Sequence, residues 1–272
     1  MPDTAPENAI EIEKLVTHYG DREILKGVDL DIHTGEIMVI MGGSGSGKTT
    51  LMRNLLGLNK PTSGSINILG QDITRLGTRE LYKLRRKMGV AFQGGALLGS
   101  MSVAENIELP LRIHTRLDEN TIRIMTRMKL EVVNLAGFED LMPSQLSGGM
   151  LKRASLARSI IMDPSLLFFD EPSSGLDPVV SAELDELILR LKAAMKVTIV
   201  VVTHELESAF KIADRITVLG DGQVLMTGTV DEIRSSDNEA IQDMLNRRPR
   251  DESIDAEEYL QRLTAARGNR YF

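Results

Sequence analysis

Gly42, Gly43, Ser44, Gly45, Ser46, Gly47, Lys48, Thr49 and Thr50 follow one another in an order that fits the phosphate-gripping pattern G-x-x-x-x-G-K-S/T. Glycines let backbone N–H groups converge on phosphate oxygens and supply the positive φ angles the loop needs. Lys48 adds a point charge, and the helix start after Gly47 points unpaired N–H groups and a positive dipole end at the anion. The Thr49 hydroxyl can ligate a magnesium ion. The chemistry these residues predict is binding of a nucleoside triphosphate. Both flanks suit such a loop: Glu36–Met41 reads as a buried parallel strand, and Thr49–Leu56 as a helix that Gly57 interrupts.

A second set of reactive groups lies downstream. Leu166-Leu167-Phe168-Phe169-Asp170-Glu171 ends an apolar strand in two carboxylates, at the edge where open α/β sheets bind ligands. Asp170 is expected to orient water on magnesium, and Glu171 to polarise the water that attacks the terminal phosphoryl group. Alone, an acidic pair before Pro172 is more often a solvated turn or a helix cap; the phosphate loop tips the reading toward function. His204 follows the β-rich run Val197–Thr203, so its imidazole is expected at the same edge, as a hydrogen-bonding switch for a γ-phosphate. Leu146-Ser147-Gly148-Gly149-Met150 sets two glycines after a serine at a helix start, a second anion-binding nest. Leu151–Ile161 then has helical spacing with Lys152, Arg153 and Arg158 on its polar side.

The elements that position these groups alternate along the chain. Ile10–Tyr19, Val28–His33 and Ser65–Leu69 predict a small sheet beside the loop, and Met88–Phe92 predicts a buried strand before the bend at Gly94-Gly95. From Ser102, which opens a capping box, to about Ile161 the pattern is helical, with Ile122, Met125, Met128 and Val132 near helix spacing. Strands resume at Leu166–Phe169 and Val197–Val202, which implies an α/β fold with a mostly parallel sheet covered on both faces. The length of 272 residues suffices for one large or two small domains. A net charge of −7 gives no broad basic surface, so no nucleic acid is expected as main partner. With no cysteine, disulfides, thiolate-bound zinc and a cysteine nucleophile are excluded. No signal peptide is expected at Met1–Asn8, and no run approaches the roughly 18 apolar residues of a membrane span.

In this order the motifs resemble those of the ATP-binding cassette (ABC) family, over about residues 10–245. The resemblance implies a P-loop, RecA-like parallel core with a small antiparallel β subdomain and a helical subdomain at about 94–161, after an N-terminal tail at 1–9 and before an extension at 246–272. By the same resemblance Tyr19 stacks on adenine, and Gln93 links nucleotide, metal and helical insert. Ser147, Gly148 and Gly149 match the Leu-Ser-Gly-Gly-Gln motif, and Asp177 closes a dimer-contact loop, Ser174–Asp177. The implied catalytic set is Glu171, His204, Lys48 and Gln93; Thr49, Gln93 and Asp170 are the implied magnesium ligands, with ATP as nucleotide. Met150 stands where glutamine is usual, and a thioether is at most a weak acceptor, although the backbone nest remains. The family's mechanism implies a head-to-tail pair that clamps ATP between one loop and the other copy's Ser147–Gly149. It also implies a cleft near Gln93 that receives short helices of a membrane subunit, with Ala96–Met101 as candidate rim.

Phe92–Met101, Leu109-Pro110-Leu111 and Met150 further resemble the ATPases of Mla-type, MCE-associated lipid transporters. That likeness implies a subunit at the cytoplasmic face of a bacterial inner membrane, with a permease and an MCE-domain lipid-binding protein, moving phospholipid or related lipid between membranes. It also implies that Tyr259, Leu260, Tyr271 and Phe272 reach a second subunit. Other classes fit less well. Soluble cassette ATPases of DNA repair carry long coiled coils or zinc inserts, ribosome-associated ones usually fuse two cassettes, and a small-molecule kinase leaves Ser147–Met150 and His204 unexplained.

Overall fold

A computed structural model of the protein describes residues 8–246, so Tyr259, Leu260, Tyr271 and Phe272 lie outside the described residues. The chain divides after Ser236 into two units. In order, the first contains β1 (Asn8–Tyr19), β2 (Arg22–His33), β3 (Ile37–Gly42), α1 (Lys48–Leu55), β4 (Ser63–Ile68), β5 (Gln71–Asp72), α2 (Thr78–Arg85) and β6 (Met88–Ala91). It continues through α3 (Val103–His114), α4 (Glu119–Val132), a 3₁₀ turn at Pro143–Gln145, α5 (Gly148–Ser159), β7 (Leu166–Asp170), α6 (Pro178–Met195), β8 (Thr198–Val202) and α7 (Leu206–Ile212). Strands β9 (Arg215–Gly220) and β10 (Gln223–Gly228) and helix α8 (Val230–Arg234) complete it. The second unit, as far as it is described, holds α9 (Glu239–Leu245), capped by the Asn238 side chain.

The expected α/β architecture is present. A six-stranded sheet runs β10-β9-β3-β8-β7-β6, parallel from β9 to β6, and a four-stranded antiparallel sheet runs β2-β1-β4-β5. Strands β3 and β8 are buried along their whole length, as uninterrupted apolar runs must be when both faces are covered. Both sheets send residues into one core, which includes Ile10, Leu15, Ile40, Leu51, Phe168 and Val200. No helix among the described residues is long and apolar enough to cross a membrane.

Three local features depart from the sequence expectations. Strand β2 begins at Arg22 rather than Val28, because register shifts against β1 break the alternation upstream. Strands β9 and β10 were not anticipated, although Asp221-Gly222 between them is a hairpin signature. On α4 the buried residues are Ile122, Thr126 and Leu130, while Met128 is 58% and Val132 46% exposed. The reason is helical pitch: each three-residue step from Ile122 slips about 60° around the axis, so the apolar series walks out of the core.

Helix α5 is seated on β6 at Gly89. A Cβ there would lie 2.0 Å from the Ser159 carbonyl oxygen and 2.7 Å from Leu167 Cδ2, so the backbones approach as only glycine permits. This contact fixes the height of α5, and with it Ser147 at its start. Gly89→Ala is expected to cost about 1–3 kcal/mol in chemical denaturation, as α5 is pushed from the sheet.

Candidate functional site

The phosphate loop leaves β3 at Gly42 and enters α1 at Gly47. Gly42 has φ 154°, and a Cβ there would lie 2.3 Å from the Leu219 carbonyl oxygen and 2.6 Å from Ser46 Oγ, so no side chain fits. Gly47 is the N-cap of α1 at φ 101° and supplies no side-chain cap, which leaves the first-turn N–H groups for a ligand. Gly43 is half-buried, Ser44, Gly45 and Thr49 are exposed, and Thr50 turns inward. Ser46 is 2% exposed, and its hydroxyl has no hydrogen-bond partner among the described residues. The Lys48 ammonium donates to the carbonyls of Gly42 at 2.7 Å and Gly43 at 3.0 Å. Burial lowers its pKa, and the nearby charges of Glu171 and Asp170 oppose that shift.

Strands β3, β8 and β7 lie side by side in parallel, with Ile40 beside Val202 and Val202 beside Asp170, so their C-terminal ends are level. That register brings Asp170, Glu171 and His204 to one edge. Burial, followed by the charge of Glu171, raises the pKa of Asp170. Glu171 leaves the sheet with φ 48°, its N–H donating to the Val202 carbonyl at 2.8 Å. Its carboxylate accepts a hydrogen bond from Thr203 Oγ1 at 3.1 Å and meets His204 Nδ1 at 2.8 Å. Lys152 of α5 donates to the main-chain oxygens of Gln93 and of Glu171, and Gln93 Nε2 donates to Ser174 Oγ at 3.4 Å. Tyr19 is exposed at the end of β1, its hydroxyl hydrogen-bonded by the Asn59 amide.

Thr203 and Asn59 carry no signal of their own in the sequence, Ser174 is expected there only in the contact loop, and Lys152 only on the polar side of α5. Arg153 and Arg158 are not a solvated face either. Arg153 bonds the Val133 carbonyl and Glu183, and Arg158 bonds the carbonyls of Gly95 and Ala96. Helical spacing shows which residues share a side of α5; it contains nothing about the carbonyls packed against that side.

Ser147, Gly148, Gly149 and Asp177 gather elsewhere. Ser147 caps α5 by accepting from Met150 N at 3.3 Å, and Asp177 caps α6 by accepting from Val179 N and Val180 N. With Met150 and Glu183 they line an open hollow of about 400 Å³, and no residue lining it belongs to the Lys48, Asp170, Glu171 and His204 group.

Comparison with known proteins gives the family. The family model described as ABC transporter matches residues 25–174, a span holding the loop, Gln93, Ser147–Gly149 and the acidic pair. The chain belongs to the ABC transporter family. Within it, this cassette is 45% identical over 230 residues to the intermembrane phospholipid transport system ATP-binding protein MlaF of Haemophilus influenzae, covering 85% of this chain and 87% of that protein. It is also 41% identical over 259 residues to the probable ribonucleotide transport ATP-binding protein mkl of Mycobacterium leprae, with 92% and 75% covered. Among solved structures, the cassette MJ0796 in a dimeric, post-hydrolysis state bound to ADP and Pi superposes with TM-score 0.75 at 32% identity, covering 81% of this chain and 98% of that one. The cassette cbiO1 of Clostridium perfringens gives TM-score 0.78 at 28% identity, with 94% and 99% covered.

An ammonium held by two carbonyls of its own loop is positioned for a phosphate oxygen. Lys48→Ala is therefore expected to weaken nucleotide binding roughly 10- to 100-fold, the loss of one charge-assisted contact, in a fluorescent-nucleotide titration of a folded variant.

Proposed function

We propose that this chain is the ATP-hydrolysing subunit of a bacterial membrane transporter for phospholipids or related lipids, acting as a head-to-tail pair. The observation that carries this reading is the division of the motif residues into two groups with no residue in common. Lys48 and the acids form one half of a clamp, and Ser147–Gly149 the other. A triphosphate then bridges the loop of one copy and the nest of a second, and pairing is supported by the MJ0796 cassette, which is dimeric in a state bound to ADP and Pi.

Within each half the residues divide the work. Gly42–Thr50 hold the phosphates through backbone N–H groups and the Lys48 charge, with the orphaned Ser46 hydroxyl as a further polar atom in the loop. Tyr19 stacks on adenine. Thr49, Gln93 and Asp170 offer the oxygen ligands a hard cation prefers, and a bound Mg2+ would neutralise charge on the β- and γ-phosphates. Glu171 takes the proton of the attacking water as its oxygen bonds to the γ-phosphorus and the bond to ADP breaks. Thr203 and His204 hold that carboxylate in place, and engagement through Nδ1 keeps His204 Nε2 for a second hydrogen bond. Asp177 carries the contact loop to the second copy.

Coupling to transport goes through a permease at the inner membrane, with an MCE-domain protein beyond it. The rim Ala96–Met101, exposed except at the half-buried Leu97 and Met101, is shaped by Asn106, whose buried side chain accepts from Leu98 N and donates to the carbonyls of Leu98, Met101 and Ser102. The lipid assignment follows the MlaF relative, whose identity exceeds that of the mkl protein. Purification of the full-length chain from membranes is expected to recover a permease, an MCE-domain protein and phospholipid; recovery with ribosomes or DNA instead would overturn the transporter reading. Glu171→Gln is expected to retain ATP binding and ATP-dependent pairing while kcat falls about 10²- to 10⁴-fold, and undiminished hydrolysis would rule out Glu171 as the base.

A further inference from the structure

Asp185 is the most deeply buried acid among the described residues, at 4% exposure. Glu36 and Glu108, the other buried acids there, are each matched by an arginine, Arg215 at 3.3 Å and Arg112 at 2.8 Å. Asp185 makes no ion pair among the described residues. Its Oδ1 accepts a hydrogen bond from Ser208 Oγ, itself 5% exposed. Burial raises its pKa, with smaller contributions from the charges of Glu186 and Glu205, while the Ser208 hydrogen bond and the Lys211 charge work against that rise. A buried acid between two helices is costly even with the Lys211 charge nearby, and an aliphatic pair would pack them without that cost. What the polar pair adds is direction: a hydrogen bond between two buried groups favours one rotation of one helix against the other.

The two helices are the ones that follow the site's two loops. Asp185 lies on α6, about two turns beyond the Asp177 cap. Ser208 lies on α7, about one turn beyond His204. Lys211 of α7 adds a hydrogen bond to the Ala182 carbonyl at 3.1 Å and an ion pair with Glu186 at 3.0 Å, both on α6. Asp177 lines the hollow with Ser147, whereas His204 touches Glu171. The path from Asp177 along α6, across Asp185–Ser208 and back along α7 therefore ends at the carboxylate assigned to water activation.

We propose that the buried Asp185–Ser208 hydrogen bond sets His204 against Glu171 when a second copy seats on the Asp177 loop, which makes Asp185 and Ser208 positioning residues for ATP hydrolysis. This rests on the paired-ATPase reading. The test is steady-state ATP hydrolysis by the full-length chain carrying Ser208→Ala or Asp185→Asn, each alone and with His204→Ala, alongside thermal melts. Ser208→Ala is expected to lower kcat about tenfold with the KM for ATP within about twofold. Asp185→Asn, whose amide oxygen still accepts, is expected to keep about half of kcat. In the His204→Ala background Ser208→Ala is expected to cost nothing further, because both changes remove the same alignment. A kcat at the wild-type level in folded Ser208→Ala, or the same tenfold fall without His204, would overturn the proposal. Should Ser208→Ala fail to fold, Ser208→Cys, close in shape and a weaker donor, carries the same comparison. A wild-type chain without ATPase activity would overturn the paired-ATPase reading and this inference with it; an active wild type with an unaffected Ser208→Ala overturns the inference alone.

Discussion

Lys48 must keep its charge in a place where burial disfavours it. The ammonium is drawn inward by the carbonyls of Gly42 and Gly43, and Asp170 and Glu171 counter the desolvation that lowers its pKa. This balance constrains everything around it. The acids must be near enough to stabilise the lysine, yet Asp170 is itself pushed toward the neutral form by burial and by its neighbour Glu171. A triphosphate in the loop would bring negative charge to Lys48 and repulsion to the acids, and the cation proposed at Thr49, Gln93 and Asp170 would offset that repulsion.

The parallel sheet makes this arrangement possible. Apolar strands β3, β7 and β8 pair in a register that leaves their polar ends level, so loops distant in sequence open at one edge. Glu171 is held there by its neighbours, at a positive φ and bonded through its N–H to Val202. Thr203 and His204 complete its environment from the next strand.

Helix α5 joins the two halves of the motif set. Its start carries Ser147 toward the open hollow, its middle sends Lys152 to the main chain of Gln93 and Glu171, and its end rests on Gly89. A shift of this helix is felt at the nest and at the acidic edge together. Helix α6 packs on α5 through Arg153–Glu183 and is tied to α7 by the Asp185–Ser208 bond and the Lys211 contacts.

Much of this was legible in the chain itself, because phosphate binding and burial both impose local patterns. The glycines and Lys48 state their chemistry in consecutive residues, and apolar runs such as Leu166–Phe169 and Val197–Val202 announce strands sealed on both faces. The acids and His204 follow those strands directly, so their arrival at one edge could be expected. The partners of those groups could not. Lys152 finds carbonyls of Gln93 and Glu171, the amide of Asn59 meets Tyr19, and Asp185 meets Ser208 only after strands and helices have packed. Helix α4 shows the limit most plainly, since its apolar residues met the spacing of a helix while the direction of the core selected Ile122, Thr126 and Leu130. Periodicity along a chain specifies an element and its chemistry; which side of it is buried, and which distant atom it touches, is decided by long-range packing that leaves no local mark.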